Sequence, residues 1–265
     1  MTNILGIANT DYRSHYNAAC IIKNGTLVAA VEEERFTRKK HAYDSLPINA
    51  VRFCLKQAGL NMQNVDIVTV GWDLPNVKLE KNPPPDISPR TSEETLRQLL
   101  PEQTFGKFGP PEIHFIPHHL SHAAAALYAS GFKNAAVIII DGAGELEATT
   151  HWQVSNGQFL KLLSLDQTPH SLGFMFEGVC KYLGFNSDDA GKVMGLASYS
   201  NSHISPFPSL QLTQDGYRIC FPQEIFDEVS KKYSTKHNYY LMDLVKDLWI
   251  VYCKNLYGNL RSLSG

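Results

Sequence analysis

The chain has 265 residues, 43% of them hydrophobic and 19% charged, with a formal net charge of −2. Those figures suit one large globular domain or two lobes, and they exclude the strongly basic footprint of a nucleic-acid binder and any polyanionic tail. The first twenty residues lack a basic stretch leading into an apolar one, so no secretion signal is expected. The apolar run around Leu248–Tyr252 is too short to span a bilayer, so no membrane partner is expected either.

In chain order, Asn3–Ala8, Ala18–Ile22 and Thr26–Glu33 read as strands, with Asn24-Gly25 as the hairpin turn between the last two. Pro47–Gly59 reads as an amphipathic helix with Val51, Phe53, Cys54, Leu55 and Ala58 on its apolar side and Gly59 closing it. Val65–Val70 is a strand. Four prolines between Lys81 and Thr91 predict a loop, and Ser92 caps a short helix behind it. Ile113–Ile116 is a strand that leads into a helix over Ser121–Ser130.

A second series follows. Ala136–Ile140, Ala148–Val154 and Phe159–Leu165 are predicted strands, the last two joined by Asn156-Gly157. This repeats the strand–Asn-Gly–strand plan of the N-terminus and predicts two lobes, 1–134 and 135–265. Ser171–Leu183 is a helix capped by Ser171, Lys192–Ala197 a shorter one, and Tyr239–Leu256 has helical periodicity. Hairpin-linked strands followed by alternating helix and strand predict an α/β class with mixed sheets. The five cysteines (Cys20, Cys54, Cys180, Cys220, Cys253) are scattered without a C-x-x-C pair, which predicts reduced thiols in a cytoplasmic protein.

The run from His118 to Gly144 asks for chemistry. His118 and His122 share a helix face if the helix begins at or before His118, and neutral imidazole is the commonest metal ligand. An i,i+4 histidine pair is also found on plain surfaces; His119 points elsewhere and reads as a neighbour. Asp141, a carboxylate at the end of a buried strand, needs a positive partner. Two histidines and one carboxylate leave coordination positions open, as catalytic sites do. Gly142 and Gly144 permit positive φ and close backbone approach, either as a phosphate-binding loop or as a simple turn. Lys192 follows Gly191 at a helix start, where a phosphate can be met. His15, in the loop Asp11–Asn17, is either a general base or an exposed loop histidine. Glu32–His41 is a dense charge run, read as a solvated strand end, an ion-pair network or an anion-facing rim.

Six segments in this order, VEEERFTRKKH (Val31–His41), GWDLP (Gly71–Pro75), HHLSHAA (His118–Ala124), DGAGE (Asp141–Glu145), SLGFMFE (Ser171–Glu177) and GKVMGLA (Gly191–Ala197), resemble the O-carbamoyltransferases of the nodulation-factor, cephamycin and tobramycin type. The resemblance implies an actin-like fold of two lobes around a nucleotide. It implies a carbamoyl-adenylate, made from carbamoyl phosphate and ATP, whose carbamoyl group passes to a hydroxyl of a sugar or antibiotic. His118, His122 and Asp141 match the family's metal ligands, for Fe(II) or alternatively Mn(II) or Zn(II). His15 matches the family's N-terminal histidine, although Tyr16 stands where the family has an acid. The family's fourth ligand and its adenylate-forming domain would fall beyond Gly265. The expectation is therefore a chain that cannot complete the reaction alone: a fragment, a truncated product or half of a split enzyme with a second chain as partner. Other readings are a threonylcarbamoyl-transferase relative, which the lack of basic excess opposes, a sugar kinase of the same superfold, and a non-catalytic remnant.

Overall fold

The computed structural model describes residues 1–8, 17–43, 45–73, 92–166, 170–199, 210–214, 216–234 and 241–257. The expected loop Lys81–Thr91 lies outside them. The described residues up to Ser121 form one compact unit and those from His122 onward form another.

The first unit carries β1 (Asn3–Ala8), β2 (Ala18–Lys23) and β3 (Thr26–Glu32) as an antiparallel meander. A one-turn helix α1 (Glu34–Thr37) precedes α2 (Ile48–Ala58), which packs on β2 and β3. β4 (Ile67–Val70) then pairs parallel to β1. After the short helices α3 (Ser92–Leu99) and α4 (Glu102–Phe105), β5 (Glu112–Phe115) pairs parallel to β4. The sheet order is β3-β2-β1-β4-β5, a mixed sheet of an α/β unit, as the hairpin-linked strands predict. β4 starts later than its apolar residues suggest, because Met62–Asn64 forms a 3-10 turn capped by the Asn61 side chain and leaves Val65 at the turn's end. The core is the periodic apolar set of the sequence: Leu5, Ile7, Ile21, Val51, Cys54, Leu55, Val68 and Val70. Gly59 ends α2 in the left-handed conformation at φ 65°, its amide donating to the Leu55 and Lys56 carbonyls, as a Cβ-free residue permits.

The second unit opens with a longer meander: β6 (Asn134–Gly144), β7 (Glu147–Ser155) and β8 (Gln158–Asp166). Helices α6 (Leu172–Tyr182) and α7 (Ala190–Ala197) follow. Then come the hairpin β9 (Leu210–Thr213) and β10 (Gly216–Ile219), helix α8 (Gln223–Ser234) and helix α9 (Leu241–Tyr257). Its core joins Phe174 of α6, Ile219 of β10, Ile225 and Val229 of α8, and Val245, Leu248 and Trp249 of α9. Gly178 lets α6 and α9 touch: a Cβ there would lie 2.7 Å from Trp249 Cβ. Neither the hairpin nor α8 was expected from the sequence.

The helix linking the two series, α5 (His118–Ser130), runs continuously past the unit boundary. The boundary between the two compact units, from Ser121 to His122, falls inside this helix. The later part of α5 belongs with the second meander, where the Tyr128 ring lies 6.4 Å from that of Phe159 on β8. Among the described residues no helix is long and apolar enough to cross a membrane.

Candidate metal centre

α5 begins at His118, one turn earlier than Ser121. Its first backbone bond runs from the Ser121 amide to the Pro117 carbonyl, and a proline is well placed just ahead of a helix because it has no amide to leave unsatisfied. The early start puts His118 and His122 one turn apart on one face. His119 faces elsewhere and is fully buried. His118 is held by the two residues after β4: its Nδ1 lies 3.0 Å from the Gly71 carbonyl oxygen, and the Trp72 ring stacks on it at 4.3 Å and 28°. A carbonyl only accepts, so Nδ1 carries the proton and Nε2 keeps its lone pair.

β6 runs through Asp141 to Gly144, further than its apolar run suggests. Its pairing with β7 is regular to Ile140 and resumes only at Gly144 opposite Glu147. This irregularity at the strand end is the kind that re-aims a side chain, and Asp141 sits in it. One carboxylate oxygen, Oδ1, accepts from the Gly142 amide at 2.6 Å. The other, Oδ2, faces His122 Nε2 at 3.5 Å.

Gly142 serves space and not conformation. Neither Gly142 nor Gly144 adopts positive φ; the left-handed residue in this turn is Glu145, at φ 38°. A Cβ on Gly142 would lie 3.1 Å from the Phe174 ring, and one on Gly173 would lie 2.5 Å from the Gly142 nitrogen. The N-terminus of α6 thus abuts the end of β6. Ser171 ties the two: its hydroxyl donates to the Gly142 carbonyl at 2.6 Å and accepts from the Phe174 amide as the cap of α6. The DGAGE and SLGFMFE segments are one piece of local structure.

His118, His122 and Asp141 each offer one ligand atom, and these atoms lie within 4.8 Å of one another. Two ligands on a tetrahedral ion, at bond lengths of about 2.1 Å, would stand about 3.4 Å apart. The 3.5 Å between His122 and Asp141 fits that spacing. The Nδ1 contact with Gly71 leaves His118 to offer Nε2, the Gly142 amide anchors one Asp141 oxygen, and the donor set suits Fe(II), Mn(II) or Zn(II).

The other expected residues are placed differently. His15 lies outside the described residues. Lys192, on α7, pairs with Asp189 at 2.7 Å and is mostly exposed. The charge run is split. Arg35 pairs with Glu32 and Glu34 at the surface. Glu33 is instead buried and serves as a remote cap for α2, accepting from the Ala50 amide at 2.8 Å and from Asn49 Nδ2 at 2.6 Å. A carboxylate there satisfies one first-turn amide, that of Ala50, where Pro47 ahead of α2 offers no side-chain cap. Asn17 completes the corner, donating to the Ala42 and Ser45 carbonyls.

Known proteins resemble this chain. A family model described as the carbamoyltransferase N-terminus matches residues 3–238. The nodulation protein NolNO of Sinorhizobium fredii is 33% identical over 222 residues, covering 82% of this chain and 32% of that protein. An uncharacterized protein of Synechocystis is 34% identical over 220 residues, covering 75% of this chain and 35% of its own length. The chain thus spans about a third of the length of these curated relatives. Among solved structures, the (R)-2-hydroxyglutaryl-CoA dehydratase component A of Acidaminococcus fermentans aligns with a TM-score of 0.43 at 14% identity, covering 100% of this chain and 80% of that one.

Proposed function

The chain belongs to the carbamoyltransferase N-terminal family, and from that premise we propose that it serves carbamoyl transfer from carbamoyl-adenylate to a hydroxyl of a sugar-like or antibiotic acceptor. The adenylate would come from carbamoyl phosphate and ATP. The observation that carries this reading is the convergence of His118, His122 and Asp141, a donor set for a divalent ion of the Fe(II), Mn(II) or Zn(II) type. Such an ion, when bound, supplies positive charge against the phosphate as AMP leaves.

The chain's own residues supply position. His118 and His122 present imidazole nitrogens at a one-turn spacing, and Asp141 adds the negative charge that selects a cation. Anchoring of Oδ1 by the Gly142 amide fixes which oxygen Asp141 offers. His15 is the proposed base that takes the acceptor's hydroxyl proton. Gly144 and Lys192 are the proposed phosphate contacts; Gly142, expected as a third, instead gives its amide to Asp141 Oδ1. For Lys192, itself mostly exposed, this means exchanging Asp189, whose side chain is only 11% exposed, for a phosphate. The work done is mostly that of holding two reactants in register. A second chain or further sequence supplying an adenylate-forming activity belongs to the same proposal.

Titration of the chain with AMP tests it. Binding should tighten at least tenfold when Mn(II) is added, and this dependence should vanish in Asp141→Ala. AMP binding indifferent to Mn(II) in the unaltered chain would contradict the reading.

A further inference from the structure

We propose that Gly71 and Trp72 are positioning residues that set the tautomer and the ring plane of His118. The proposal rests on the metal reading above and extends it to the GWDLP segment, to which that reading gives no role. β4 ends at Val70, and the next two residues meet the first turn of α5. Each restrains a different freedom of the imidazole. The Gly71 carbonyl, 3.0 Å from Nδ1, fixes the proton on that nitrogen and directs the Nε2 lone pair away from β4. The Trp72 indole, stacked at 4.3 Å and 28°, blocks one face of the ring and so limits its rotation about the Cβ–Cγ bond.

Trp72 is itself anchored, since it packs against the first unit's core. A Cβ on Gly71 would crowd Ser121, lying 3.3 Å from its Oγ and 3.6 Å from its Cβ. A larger residue would push the carbonyl away from α5 and lengthen the bond to His118. A ligand whose ring is oriented in advance loses less freedom when it binds, and removing such outer support typically costs ~10–100-fold in metal affinity.

Two readouts on the whole chain test this. The ring-nitrogen NMR signature of His118 in metal-free protein reports the tautomer without reference to any ion. Co(II) titration reports affinity. The unaltered chain should show a single Nδ1–H tautomer. Trp72→Leu should show a mixture of tautomers and bind Co(II) ~10–100-fold more weakly, while Trp72→Phe, which keeps a stacking ring, should stay near the original on both. Gly71→Ala should weaken Co(II) binding, and the added Ser121→Ala should restore it by removing the oxygen the new methyl meets. This pair also covers the case in which Trp72→Leu does not fold. Unchanged tautomer and affinity in Trp72→Leu, or in Gly71→Ala, would overturn the positioning role. Absence of Co(II) binding by the unaltered chain, with the tautomer as stated, would instead remove the metal reading and the role built on it.

Discussion

The meander β1–β3 and the meander β6–β8 turn through the same residues in the same conformation. Asn24 and Gly25 have φ of 52° and 79°, and Asn156 and Gly157 have φ of 49° and 77°. Both pairs show the positive φ at two successive residues that a tight hairpin needs. Their surroundings differ. β1 lies between β2 and β4, and its Leu5 and Ile7 are 0% and 3% exposed. β6 is an edge of its sheet among the described residues, and its Ile138 and Ile140 are 63% and 58% exposed. The turn is a local property of two residues, whereas burial depends on what packs against the sheet. The second meander also runs past its regular pairing, and Asp141 stands where the ladder breaks.

Core truncation should separate the two meanders most. Leu5→Ala removes side-chain volume from a filled core and should cost about 2–5 kcal/mol of unfolding free energy. Ile138→Ala removes a side chain that already faces outward and should change it by less than about 0.5 kcal/mol. Urea unfolding followed by circular dichroism measures both, and similar losses would erase the distinction.

The turns should show the opposite pattern, a likeness. Gly25→Ala and Gly157→Ala each force a methyl into the left-handed region where nothing else is crowded. Each should therefore cost about 1 kcal/mol, with the two values nearly equal. A cost at one turn alone would mean that surroundings, and not the turn conformation, decide it.

The smallest expected effect is in alkali. Burial pushes the Cys54 thiol in the first unit up to about 11, with a smaller push from Cys20, and burial pushes Cys253 in the second unit up to about 11. Both folded values lie above the ordinary 9.0, so the unfolded chain ionises first. Their contribution is whole below about pH 9 and is lost as pH rises toward 11. Cys54→Ala and Cys253→Ala should each flatten the decline of stability over that window. An unchanged slope in either would place that thiol in water.

The legible parts of the fold were those written locally. Asn-Gly pairs, the apolar spacing of α2 and the capping Ser171 predict their elements nearly in place. α8 carried a readable signal, since Ile225, Val229 and Tyr233 repeat at helical spacing and are buried. The hairpin β9–β10 did not: every residue of β9 is exposed, so no alternation marks it. Within the site, His118, His122 and Asp141 stand out by type and spacing. Their supports do not, because each depends on a contact far along the chain. Gly71 meets His118 across 47 positions and Ser171 meets Gly142 across 29. The charge run misleads for a related reason: Glu33 is a strand-end acid by sequence and a buried helix cap by contact.

In the proposed site His118, His122 and Asp141 hold one divalent ion together. Co(II) titration followed by its visible d–d absorption tests it directly. One ion per chain is expected, with affinity lowered at least tenfold in each of His118→Ala, His122→Ala and Asp141→Ala while far-ultraviolet circular dichroism is unchanged. Equal stoichiometry and equal affinity in Asp141→Ala would contradict it.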